Sequence, residues 1–179
     1  MTVSFNWLKD YLKFDRDAGA VAGILTSTGL EVEHVETVQQ IPGGLAGVVV
    51  AEVVECVPHP DSDHLHVTRL DTGEGGLLQV VCGAPNVAAG QKVLLATIGT
   101  DLPTADGGKF RIKKSKIRGV ESFGMICAED ELGIGTDHSG IMVLDPSAVV
   151  GTPAKDQLGL KEDTIFEIGL TPNRVDGAS

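Results

Sequence analysis

Between Val48 and Leu144 the sequence offers short runs of alternating apolar residues and no long helical pattern. That restricts the folds open to this chain more than any other feature. Val48 to Val57 reads as one long strand, stopped by Pro58 and Pro60. Leu65 to Leu70 reads as the next, and Asp71-Thr72-Gly73 supplies a hairpin turn. Leu77 to Cys82 and Val93 to Ile98 follow, separated by the break Gly83-Ala84-Pro85-Asn86 and by Gly90. Glu129 to Leu132 has room for one helical turn closed by Gly133, and Ile141 to Leu144 ends the series. Short strands punctuated by turn residues, with one brief helix, predict a small β-barrel. Aromatic residues make up only 4% of the chain, which suits small sheets built from β-branched side chains.

The flanks follow a different pattern. Ser4 to Leu12 reads as a short amphipathic helix, with Leu8 and Leu12 four apart and Trp7 and Tyr11 beside them. Asp17 is placed to cap a second helix carrying Val21, Ile24, Leu25 and Thr28, which Gly29 ends. Leu30 to Val38 alternates as a strand with Glu31, Glu33 and Glu36 outward. This segment is too short to bury a core alone, and Ile41-Pro42-Gly43-Gly44 follows it as a linker. Beyond Pro146, Pro153 opens a short helix to Leu158 and Thr164 to Leu170 alternates again. Thr171 and Pro172 read as the opening of a helix that the sequence does not complete, as expected of a piece of a longer protein. The expected architecture is α+β. A barrel over residues 40–151 is inserted between two halves of a small α/β module, 1–39 and 152–179, with the barrel's ends close together.

Charge is distributed unevenly. Lys109 to Arg118 contains six of the fourteen basic residues (Lys109, Arg111, Lys113, Lys114, Lys116 and Arg118) and no acid. The rest of the chain sets eight basic against twenty-five acidic side chains, a net of −17. A basic ribbon on an acidic body suits a local contact with an anion such as RNA, and the overall charge of −11 argues against broad nonspecific binding. Phe110 and Ile112 alternate with the cations, so both are expected on the core face. The phase slips at Lys113-Lys114, and a bulge or tight turn there returns Ile117 to the core. The same ribbon also reads as a solvated edge strand kept soluble by lysines.

Other chemistry finds little support. His59, Asp61, Asp63, His64 and His66 cluster in sequence, but Pro60 breaks the strand and no cysteine pair assists, so no metal site is expected. A turn shaped by Pro60, with Asp63 bonding nearby backbone amides, accounts for the segment. Ser122 lies in a GxxSxG context, not the GxSxG nucleophile elbow. Cys82 and Cys127 have no evident histidine partner, and Gly133 to Gly140 has no nucleotide-binding spacing. No catalytic residue is expected. Three cysteines, odd in number and without a CxxC, predict reduced thiols in a cytoplasmic protein. Asn6, Lys9 and Asp10 argue against a secretory leader, and no apolar run approaches the ~20 residues of a membrane helix.

Four spaced motifs carry a resemblance: His59 to Val67 (HPDSDHLHV), Val81 to Gly90 (VCGAPNVAAG), Lys116 to Cys127 (KIRGVESFGMIC) and Glu131 to Ile134 (ELGI). Together they resemble the tRNA-binding OB-fold family, which implies that the barrel is an OB-fold. The flanks FNWLKDYL, LTSTGLEVE (Leu25 to Glu33) and TPNRVD (Thr171 to Asp176) resemble the N-terminal module of bacterial phenylalanyl-tRNA synthetase β subunits. In that family an OB-fold is inserted into a split α/β module. The resemblance implies tRNA contact around Asn86, Lys116, Arg118, Ser122 and Met125. It implies tRNA(Phe), the remainder of the β subunit and the α subunit of an α2β2 ligase as partners. No cofactor is implied for this chain, while ATP and magnesium serve the parent ligase. A free-standing tRNA-binding or chaperone-like OB protein is the competing reading; stand-alone members lack the α/β flanks. With Phe110 and Phe123 the only aromatics in the barrel, a structured RNA surface suits it better than a threaded single strand. For Ser122 and Met125, a turn hydroxyl and a core filler are equally open.

Overall fold

The computed structural model describes residues 1–170 and Pro172. The chain runs β1 (Thr2–Ser4), α1 (Phe5–Tyr11), α2 (Ala18–Ser27) and β2 (Glu31–Gln39). It continues through β3 (Val48–Pro58), β4 (His66–Asp71), β5 (Leu77–Cys82), β6 (Lys92–Thr97), β7 (Asp101–Pro103) and β8 (Lys109–Arg111). Then come β9 (Ser115–Ile117), β10 (Val120–Ser122), β11 (Gly124–Ile126), β12 (Val143–Leu144), α3 (Ala154–Gln157) and β13 (Glu162–Gly169). Two compact units result: Ile41–Leu160, and Met1–Gln40 with the chain from Lys161. Among the described residues no helix is long and apolar enough to cross a membrane.

The larger unit is the expected barrel. Its main sheet has the order β11-β6-β3-β4-β5, all antiparallel. β3 is the strand that curls the sheet. Its first half pairs with β6 and its second half with β4, and the register shifts between Val53 and Glu55. A bulge there bends the strand so that it serves two neighbours. Closure comes through Phe123 N–H donating to the Gln79 carbonyl at 2.9 Å and Gln79 Nε2 donating to the Glu121 carbonyl at 2.9 Å. Two apolar clusters use opposite faces of the same strands. Ala51, Val53, Val93 and Leu95 join Leu70, Val80 and Ile126 on one side. Val48, Val50, Leu94 and Ala96 join Leu102, Ile112, Cys127 and Leu132 on the other. Burial on both faces explains why β6 is a continuous apolar run instead of an alternating one.

The segment read as a linker folds into the barrel. Pro42–Leu45 forms a 3-10 turn in which Gly43 and Gly44 take φ of 81° and 59°, and Ile41 and Leu45 are buried. The far boundary also differs from the expected 151/152. Val50 N–H donates to the Thr152 carbonyl at 2.9 Å, Gly151 N–H to the Val50 carbonyl at 2.8 Å, and Ala154 is fully buried in the barrel cluster. Residues 152–160 therefore complete the barrel, because β3 leaves backbone groups there that need partners.

The smaller unit is a three-stranded antiparallel sheet, order β1-β13-β2, with α1 and α2. Ser4 Oγ accepts from Trp7 N–H at 2.9 Å and Asp17 Oδ1 from Ala20 N–H at 2.7 Å, so both helices start at side-chain caps. Its core is Phe5, Val21, Phe166 and Ile168. The expected apolar stripe on α1 is displaced. Phe5 is buried, whereas Leu12 ends the helix exposed, and Trp7 and Tyr11 pack together outside, tilted at 49° with ring centroids 4.6 Å apart. Thr171 and the motif running to Asp176 lie outside the described residues, apart from Pro172.

Candidate nucleic-acid interface

The basic ribbon folds as parts of two hairpins. In the first, β7 pairs with β8, placing Asp101 opposite Arg111 and Leu102 opposite Phe110. In the second, β9 pairs with β10 around a two-residue turn, Arg118-Gly119. Their φ values are 45° and 88°, the paired left-handed geometry that tight hairpins favour. A non-glycine residue rarely sits there. Arg118 is held by its own side chain: Nη1 donates to the Asp61 carbonyl at 2.9 Å. Between the hairpins Ile112 is buried, and its N–H and C=O bond Thr100 and Gly99. The phase slip at Lys113-Lys114 is thus a break between hairpins, and it returns Ile117 only to half-burial. Phe110 departs from expectation, at 55% exposed.

The structure sorts the cations. Arg111 makes a two-pronged ion pair with Asp101, Nε–Oδ1 at 2.8 Å and Nη2–Oδ2 at 2.9 Å. That guanidinium holds the Asp101 carboxyl below its ordinary value. Lys114 Nζ lies 2.7 Å from Glu121 Oε1 and 4.9 Å from the Phe123 ring centroid, and it lowers Glu121 in the same way. Lys109, Lys113 and Lys116 are exposed and make no ion pair among the described residues. Arg118 spends one N–H on a neutral carbonyl and keeps its charge. The ribbon's usable positive charge is therefore three lysines and Arg118. Lys109, Arg111 and Lys113 stand along a groove of about 530 Å³ whose walls include Val81, Phe110, Ile117, Gly124 and Met125.

The remaining residues singled out by resemblance hold the scaffold. Ser122 is 1% exposed; its Oγ accepts from Val81 N–H at 3.1 Å and donates to the Gly124 carbonyl at 3.1 Å. Met125 is half-buried on the groove wall and packs against the barrel core. Asn86 joins two loops: Nδ2 donates to the Ile141 carbonyl at 2.9 Å, and Oδ1 accepts from Ile141 N–H at 2.9 Å. Asn86→Ala leaves both groups of the buried Ile141 unpaired. We expect it to cost about 2 kcal/mol in urea unfolding of the barrel, with RNA affinity of the folded fraction unchanged. Weaker RNA binding at an unchanged urea midpoint would instead make Asn86 a direct contact.

His59, weighed in the sequence only as a metal ligand, has a structural role instead. It is 3% exposed and uses both ring nitrogens: Nδ1 accepts from Asp61 N–H at 3.0 Å, and Nε2 lies 3.0 Å from the Ile117 carbonyl. Since Nδ1 is accepting, Nε2 carries the proton and donates. His59 and Arg118 thus tie the second hairpin to the 59–62 loop. The expected role of Asp63 in that turn falls to Ser62, whose Oγ accepts from the His64 and Leu65 amides at 3.4 and 3.3 Å. Asp63 is fully exposed and faces His64 at 3.1 Å. Among the described residues no group of three His, Cys, Asp or Glu side chains is placed to hold a metal ion. Burial pushes the Cys127 thiol up to about 12 and raises Cys82 as well, away from the thiolate a nucleophile needs.

Comparison with known proteins bears on the same residues. The model of a family described as a putative tRNA binding domain matches residues 48–153. A phenylalanine–tRNA ligase β subunit of Bacteroides fragilis is 59% identical over 179 residues, 100% of this chain and 22% of that protein. The one from Porphyromonas gingivalis is 51% identical over the same span, again 22% of its length. That of Geobacter metallireducens is 50% identical over 176 residues, 98% of this chain and 21% of that protein. The chain spans about a fifth of the length of these curated relatives. The family match takes in more than half of the chain, including both basic hairpins, the groove between them and the His59 latch, and the chain belongs to the putative tRNA binding domain family.

Proposed function

We propose that this chain is the tRNA-contacting, N-terminal part of a phenylalanine–tRNA ligase β subunit, working in the cytoplasm. Its barrel captures tRNA(Phe) through Lys109, Lys113, Lys116 and Arg118, with Met125 on the groove wall. Arg111 and Lys114 lend a weaker field because Asp101 and Glu121 neutralise them. Asn86, Ser122 and His59 hold the surface in shape. Activation of phenylalanine and its transfer to tRNA belong to the rest of an α2β2 assembly, chiefly the α subunit, with ATP and magnesium bound there. The observation that carries this reading is a cluster of exposed lysines that make no ion pair among the described residues, on a chain whose net charge is −11. Leaving cations unpaired amid so much acid makes sense where a polyanion supplies the counter-charge.

Binding of fluorescent tRNA(Phe) to this chain tests the reading. Saturable binding is expected at roughly 50 mM salt, weakening steeply toward ~150 mM as counterions compete for few phosphate contacts. Absence of binding at the lower salt would make the ribbon a solvated edge. The same preparation is expected to catalyse no phenylalanine-dependent ATP–pyrophosphate exchange, and measurable exchange would move the chemistry onto this chain.

A further inference from the structure

We infer that the groove between the two basic hairpins takes one unstacked nucleobase of a structured RNA, with Phe110 as its stacking partner and Lys109 and Lys113 on the flanking phosphates. This rests on the reading of the ribbon as an RNA-contact surface. The starting point is a side chain whose direction and burial disagree. Leu102 lies directly opposite Phe110 in the β7–β8 ladder, so the two share a face of that hairpin. Ile112, two residues on, follows the same parity. Leu102 and Ile112 are buried at 2% and 4%, yet Phe110 between them is 55% exposed. Phe110 belongs to the inward face, and the protein leaves the space before it open.

That space is the groove of about 530 Å³, within the roughly 300–1,000 Å³ typical of small-molecule clefts. Val81, Ile117, Gly124 and Met125 give it apolar walls, Lys109, Arg111 and Lys113 give it cations, and no acidic residue lines it. An apolar peptide side chain would satisfy the walls and leave the cations unanswered. A nucleotide answers both, because its base offers a flat π face and its phosphates carry the charge. Lys109 and Lys113 stand one and three residues from Phe110, on either side of it. The groove offers a single aromatic ring, so it serves a single base. The matching ligand is a bulged or loop nucleotide in folded RNA; a threaded strand needs a row of aromatic platforms.

The test compares two fluorescein-labelled RNA hairpins of equal length, one fully paired and one with a single unpaired nucleotide carrying 2-aminopurine. Wild type is expected to bind the bulged RNA about tenfold more tightly and to quench the 2-aminopurine on stacking. Phe110→Leu is expected to lose both the preference and the quench while still binding the paired RNA, and Phe110→Trp to retain both. Phe110 is exposed, so neither substitution threatens the fold. Suppose Phe110→Leu leaves the bulge preference intact while Lys109→Glu with Lys113→Glu removes binding to both RNAs. Base insertion is then wrong and the ribbon reading stands. If wild type binds neither RNA, both fall.

Discussion

Changing Lys109, Lys113 and Lys116 together to glutamate is expected to weaken tRNA binding on the order of a hundred- to a thousandfold at roughly 50 mM salt. The three were chosen by their surroundings. Arg111 and Lys114 already face Asp101 and Glu121, so reversing them mainly breaks internal ion pairs. Lys109, Lys113 and Lys116 make no ion pair among the described residues, although Glu121 faces Lys116 across β9–β10. Their loss should also flatten the dependence of log K on log salt by about 0.9 for each phosphate contact removed, close to three in all. A control with Lys13, Lys155 and Lys161 changed to glutamate alters net charge equally at exposed positions outside the ribbon sequence. If net charge were the cause, the control would lose affinity to the same degree, and localised capture by the ribbon would be wrong. Loss confined to the ribbon variant with its circular dichroism intact is the expected result.

Phe166→Ala is expected to unfold the smaller unit and leave the barrel folded. Phe166 is fully buried, with Phe5 edge-on to it at 5.9 Å between centroids. Truncating such a ring typically costs about 3–5 kcal/mol. A domain of roughly 60 residues rarely has more than that to lose. The four-residue core of Phe5, Val21, Phe166 and Ile168 contains no barrel residue, so the damage should be local. The chain offers a selective probe, because its single tryptophan, Trp7, and its single tyrosine, Tyr11, pack against each other on α1 in this unit. Near-UV circular dichroism from that pair should collapse at 25 °C in the variant. Far-UV strand signal and urea unfolding of the barrel should persist. A variant with one wild-type-like transition in both signals would show that the two units unfold together.

Much of this architecture was legible because it is written in local rules. Alternation marked the barrel strands and β13, Pro58 stopped β3, and Asp17 capped its helix through a bond three residues away. Departures arose where a residue's partner lies far along the chain. Residues 152–160 looked like the second half of the α/β module because helix grammar returns there. The backbone bonds they share with Val50, about a hundred residues earlier, assign them to the barrel. Leu12, Trp7 and Tyr11 carry the right period for a buried stripe, but α1 packs through Phe5 and its neighbours.

The candidate site divides along the same line. By itself the sequence determined that six cations lie within ten residues on an acidic chain, and that the alternation slips at Lys113-Lys114. Charge and alternation depend on near neighbours, so they survive without coordinates. The tertiary structure alone decided which cations are paired, because that depends on the β7–β8 register placing Asp101 against Arg111 and on the second hairpin bringing Glu121 to Lys114. It alone decided that Phe110, expected on the core face, is left uncovered, and that Asn86 and His59 spend their polar atoms on Ile141 and Ile117, 55 and 58 residues away. These outcomes follow from closure of the barrel. Closure sets which distant backbone groups need partners and which spaces remain open, and no short stretch of sequence carries that information.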